Sequence, residues 1–67
     1  MLSARNQLKG TIKAVKLGTV MAEVLLSVGD VEIVSVITRE SAERMNLKVG
    51  DRAKAVIKST EVMISND

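Results

Sequence analysis

The chain has no cysteine, no histidine, no proline and no aromatic residue. Without Cys there is no disulfide framework, no thiolate metal centre and no cysteine nucleophile. Without His the commonest metal ligand is gone, and so is the usual proton-transfer group of enzymes. No pair of carboxylates stands out to replace it, so the expectation is a protein that is not an enzyme and carries no cofactor. The missing Phe, Tyr and Trp remove the platforms on which single-stranded nucleic-acid binders stack bases. Long apolar runs are missing too, since none exceeds three residues. Neither a membrane span nor the apolar segment of a secretory signal is legible, and a cytoplasmic protein with no membrane partner is expected.

What is present is short and aliphatic. Sixty-seven residues make one domain, residues 1–67, and a chain of that size leaves much of its surface wet. Apolar residues make up 46% of it, but the core has to be assembled from Val, Ile, Leu, Ala and Met, each burying little area. With no disulfide or metal to staple the fold, a homo-oligomer that covers apolar surface with a second chain is the expected remedy. Ten Lys and Arg against eight Asp and Glu give a net charge of +2, too mild to indicate nucleic acid and slightly in favour of an anionic ligand.

Periodicity divides the chain into short strands. From Leu8 to Lys16, Ile12, Ala14 and Val15 alternate loosely with Lys13 and Lys16, and Gly18 offers a turn. Thr19 to Val28 sets Val20, Ala22, Val24, Leu26 and Val28 on one face at period two, the clearest strand in the sequence. Its second face keeps Met21 and Leu25, as expected where a neighbouring subunit covers it. Gly29-Asp30 predicts a hairpin turn into a return strand, Val31 to Ile37. Thr38 is placed to cap a short helix over 39–46, with Glu40 and Glu43 in its first turns. After Gly50-Asp51, Ala53, Ala55 and Ile57 alternate with Arg52, Lys54, Val56 and Lys58 in a fourth strand. Ser59 and Thr60 mark a bend, and Val62, Met63 and Ile64 predict a fifth strand. The expectation is an all-β, five-stranded OB-like barrel with its helix between strands three and four.

Three segments gather donors beside few acceptors: 3–7 (Ser-Ala-Arg-Asn-Gln), 37–41 (Ile-Thr-Arg-Glu-Ser) and 58–60 (Lys-Ser-Thr). Arginine offers a planar fork of donors and lysine a compact ammonium, while hydroxyls and free backbone N–H groups satisfy the other lone pairs of a tetrahedral oxyanion. Each segment also has a plainer reading. Ser3 and Arg5 fit a solvated terminus, Thr38 fits a simple helix cap, and Lys58 fits an exposed strand lysine. Glu40, in the same turn as Thr38, would repel an anion unless its carboxylate points away.

The opening string Ser3-Ala4-Arg5-Asn6-Gln7-Leu8-Lys9-Gly10, then Val36-Ile37-Thr38 with Ser41 three residues on, then Lys58-Ser59-Thr60-Glu61-Val62-Met63-Ile64, resembles the molbindin (Mop-type) pattern along the whole chain. The same pattern occurs in the related TOBE/Mop domains of molybdenum-responsive regulators and molybdate transporter ATPases. The resemblance implies a molybdate-binding protein in which these segments line oxyanion sites between subunits. It implies an OB-like barrel whose dimers exchange strands and assemble as hexamers, each a trimer of dimers. It assigns molybdate binding to Ser3, Arg5, Thr38, Ser41, Lys58 and Ser59, with Ala4, Asn6 and Thr60 as secondary contacts. Molybdate is a dianion with no proton to donate, so a site built of donors suits it, and tungstate should behave alike. Storage, buffering or delivery of the oxyanion is the expected role. The rivals are a single-stranded nucleic-acid-binding OB domain and a structural oligomerisation or sensor module.

Overall fold

The computed structural model describes residues 4–66. Four strands, β1 (Asn6–Leu17), β2 (Met21–Val28), β3 (Val31–Thr38) and β4 (Arg52–Ile57), are joined by one helix, α1 (Arg39–Arg44), and end in a short 3₁₀ turn, Ser59–Glu61. They form one antiparallel sheet in the order β3-β2-β1-β4.

The long first strand organises the sheet. From Asn6 to Thr11 it pairs with β4, and from Thr11 to Leu17 with β2, with a register shift between Ile12 and Ala14. A bulge of this kind bends a strand and increases its twist, which lets β1 serve two partners running off in different directions. Gly10 sits just before that crossing. A Cβ there would lie 2.6 Å from the carbonyl oxygen of Ser27 and 2.8 Å from Cγ2 of Val28, so only glycine permits the approach of β1 to the end of β2. Ile12 is anchored on both sides, its N–H donating to Asp51 O and its carbonyl accepting from Gly50 N, each at 2.8 Å.

One face of the sheet carries the core. Ile12, Val24, Leu26 and Ala55 are buried together, with Val15, Val28, Ile33, Ile37, Leu47 and Ala53 packed around them. The period-two reading of the second strand holds at Ala22, Val24 and Leu26, all buried. It fails at Val20, which is 68% exposed. Val20 belongs to the turn before β2, which is closed by a bond from Gly18 N to Met21 O at 2.7 Å, and its carbonyl accepts from Arg39 N at 2.7 Å.

Thr38 ends β3 and caps α1. Its Oγ1 accepts from Ser41 N at 3.1 Å and donates to Ser41 Oγ at 2.7 Å. The helix is shorter than the expected 39–46 span, because Asn46 takes a left-handed φ of 53° and terminates it. Only Ala42 of the helix is buried. So small a helix depends heavily on its cap, and Thr38→Ala is expected to cost about 1 kcal/mol. That corresponds to a fall in Tm of roughly 4–8 °C for a domain of this size, whereas Thr38→Asn, which can still cap, should recover most of it. Thermal melts at one fixed protein concentration check this.

The expected closed, five-stranded barrel is not what the chain forms. The sheet is open: its two edges, β3 and β4, are not paired with each other. The helix does fall between the third and fourth strands, but the fifth strand is absent among the described residues. After β4 the chain turns through Ser59–Glu61, where Glu61 N donates to Lys58 O at 2.9 Å. Val62, Met63 and Ile64 follow in extended or irregular backbone outside any ladder. These residues leave the free edge of β4 unpaired, and Met63 and Ile64 are 92% and 88% exposed. Between the open edges lies an apolar groove of about 950 Å³, lined by Ile12, Val24 and Leu26 from the core and by Val34, Val36 and Val56 from the edge strands.

Candidate functional site

Antiparallel pairing of β1 with β4 brings two of the three donor-rich segments together. Asn6 stands opposite Ile57 as the last pair of the ladder, so Arg5 and Lys58, the residues next to that pair, lie at the same end of the sheet. Ser59 and Thr60 follow in the 3₁₀ turn, and Ala4 lies just ahead, its carbonyl accepting from Gln7 Nε2 at 2.9 Å. Ser3, named from the opening motif, lies outside the described residues. Neither Arg5 nor Lys58 has a carboxylate partner among the described residues, where the ion pairs are Lys13–Glu32, Arg39–Glu43 and Arg44–Glu40. Two cations thus lie at this end of the sheet with Asn6, Ser59 and Thr60 as neutral donors beside them, and Glu61 in the same turn is the one carboxylate nearby in the chain.

The third segment lies elsewhere. Leu17 pairs with Ala22 and Ala22 with Ile37, so Thr38 and Ser41 sit at the far end of β1 from Arg5. The strand has twelve residues at about 3.4 Å each, a length on the order of the molecule's 35 Å long axis. Within one chain the candidate residues thus fall into two separate clusters, one at each end of β1.

The helix-entrance half is well ordered by its own hydrogen bonds. Because Thr38 Oγ1 spends its proton on Ser41 Oγ, the Ser41 hydroxyl proton is free to point at a ligand. The acid that endangered this half is turned toward a cation on the exposed side of the helix. The Glu40 carboxylate is held by the Arg44 guanidinium one turn along, and Glu43 by Arg39 at 3.4 Å. Arg39 also donates to Gly18 O at 3.1 Å, so it is occupied in tying the helix to the turn before β2.

Cations missed at the level of sequence lie further along the β1–β4 ribbon. Lys9 pairs with Lys54 and Thr11 with Arg52, on the side of the ribbon that alternation also gives to Arg5 and Lys58. The alternation of Arg52 and Lys54 with alanines was visible, but only the pairing register shows that Lys9 meets Lys54. Among the described residues no three His, Cys, Asp or Glu side chains converge as a metal-cation site would require.

An open antiparallel sheet with one strand shared by two partners, a capped helix after the third strand, and donor clusters at both ends make up a small module of the TOBE type. The chain matches the TOBE domain family over residues 2–64 and belongs to it. It is 52% identical over 64 residues to molybdenum-pterin-binding protein 3 of Clostridium pasteurianum, a match covering 94% of each chain. Its fold is shared with a molybdate binding protein from Sporomusa ovata, at a TM-score of 0.95 and 35% identity over 98% of both chains. It is shared as well with the cytoplasmic molybdate-binding protein ModG in a molybdate-bound form, at a TM-score of 0.84 and 47% identity, covering 88% of this chain and 43% of that one.

Proposed function

We propose that the chain binds molybdate, and tungstate by the same chemistry, at sites built between subunits of a homo-oligomer, and that it stores, buffers or delivers the oxyanion in the cytoplasm without catalysing a reaction. The observation that carries the reading is the division of the donors. Arg5, Lys58 and Ser59 gather at one end of β1, and Thr38 and Ser41 at the other. Neither half surrounds a tetrahedral anion, whereas one half from each of two chains would supply a charged fork, an ammonium and hydroxyls with no acceptor-only group among them. Ser3 belongs to the first half by its place in the opening motif, and Ala4, Asn6 and Thr60 add backbone or secondary contacts. The relatives named for molybdate and for molybdenum-pterin point to the same ligand.

The exposed apolar surface supports assembly. Val34 and Val36 are each 60% exposed, Met63 and Ile64 more so, and a chain lacking disulfides and metals gains stability by covering such surface. A hexamer arranged as a trimer of dimers fits this chain, with each composite site repeated by the symmetry.

Native mass spectrometry with and without molybdate tests the reading in one measurement. The expected spectrum is a hexamer that takes up about one molybdate or more per chain. A monomer that takes up none would overturn both the ligand and the assembly.

A further inference from the structure

Four residues along the ribbon from Arg5 and Lys58, the chain brings Lys9 and Lys54 directly opposite each other, with Arg52 two pairs further on, opposite Thr11. Side chains of like charge placed opposite in a ladder weaken it. None of the three cations has an ion-pair partner among the described residues, and all three are exposed. They line a cleft of about 630 Å³ with Thr11 and Ser27, and no carboxylate contributes to its walls. Glu32 is held by Lys13 at 2.5 Å and Asp51 Oδ2 accepts from Lys48 N at 3.2 Å, while Asp30, next to Gly29 in the turn, is exposed and does not line the cleft. Gly29, with nothing within 4 Å of its side-chain position, leaves backbone accessible to a ligand, beside Gly10, whose own side-chain position is filled by the Ser27 carbonyl.

Like the molybdate half-sites the cleft carries hydroxyls, and what sets it apart is its size. The Thr11 and Ser27 hydroxyls can accept as well as donate, so a partly protonated oxyanion is accommodated. The volume lies in the range of pockets that hold small organic molecules and far exceeds a bare tetrahedral ion. We infer that this cleft is a second anion site, separate from the molybdate site, which takes a phosphorylated small molecule: the phosphomonoester group rests on Lys9, Lys54 and Arg52, and the organic body lies along the glycines. A bound phosphate would also relieve the repulsion between the two opposed lysines, tying occupancy to the stability of the β1–β4 pairing.

The test uses the assembled protein saturated with molybdate, titrated with glycerol phosphate or with inorganic phosphate while backbone amide NMR shifts are followed. Glycerol phosphate is expected to move the amides of Thr11, Ser27 and Gly29 and to bind more tightly than inorganic phosphate. Lys9→Gln/Lys54→Gln should weaken it on the order of tenfold or more, with the molybdate count unchanged and the melting temperature no lower. The inference is overturned if those amides stay still at millimolar probe, if the double variant binds as well as the original, or if inorganic phosphate binds equally well. It is also overturned if the response appears only without molybdate, which would mean the probe merely occupies the molybdate site.

Discussion

Replacing Arg5 with alanine is expected to weaken molybdate binding by about 1.5–3 kcal/mol per site, the usual cost of losing a hydrogen bond to a charged group, or roughly 10- to 150-fold in Kd. Lys58→Ala should fall in the same range. The magnitude follows from what each residue does in the isolated chain. Neither makes an ion pair among the described residues, and both are exposed, so folding has little to lose: a stability change within about 0.5 kcal/mol is expected. A dianion excluded from water by a second subunit, by contrast, has no replacement for the missing donor. Arg5→Lys discriminates further, since an ammonium keeps the charge but gives up the bidentate fork, and it should recover only part of the affinity. Calorimetric titration with molybdate, beside thermal melts of the same samples, reads both quantities. An unchanged Kd for both alanine variants would retire this end of the sheet as part of the site.

The parts of the fold that could be read from sequence are those set by local chemistry. The period-two burial of Ala22, Val24 and Leu26, the turn at Gly29-Asp30 and the capping role of Thr38 all depend on residues within a few positions of one another, and the structure keeps each of them. What was not legible depends on distant pairing. The exchange of partners along β1, Asn6–Thr11 with β4 and Thr11–Leu17 with β2, leaves no mark in alternation beyond the irregular stretch around Lys13. It also explains why the first strand is longer than its hydrophobic pattern: Asn6 and Gln7 are polar, yet they have β4 to pair with.

The fifth strand was misread for a related reason. Val62-Met63-Ile64 has the composition of a strand, but composition cannot show that Ser59–Glu61 folds into a 3₁₀ turn or that the triplet leaves the edge of β4 unpaired. An apolar triplet so exposed is the same surface that argues for assembly, so part of what a sequence encodes for the oligomer looks like an error in the monomer. The candidate site behaves likewise. Its residue types were legible, whereas its division into two ends of β1 was not, because proximity in the motif list says nothing about which chain a residue will meet.

That division allows an experiment whose outcome depends only on how the halves are shared. Arg5→Ala/Lys58→Ala disables the first half. Ser41→Asp disables the second by setting a carboxylate against the oxyanion, while an acid in the first turn of α1 favours the helix. Each variant alone should bind molybdate poorly. When the two are refolded together in equal amounts and chains assort at random, a site drawing its halves from different subunits finds both halves intact in about a quarter of cases, a consequence of symmetric assembly from identical chains. High-affinity binding should therefore return to about a quarter of its original count, and the recovered fraction should trace a parabola as the mixing ratio is varied, highest at equal proportions. A site whose halves belong to one chain recovers nothing at any ratio, because every chain in the mixture carries a damaged half. Equilibrium dialysis of the mixed oligomers separates the two outcomes without any knowledge of the interface geometry, which makes the ratio dependence a sharper test of the composite site than the affinity of any single variant.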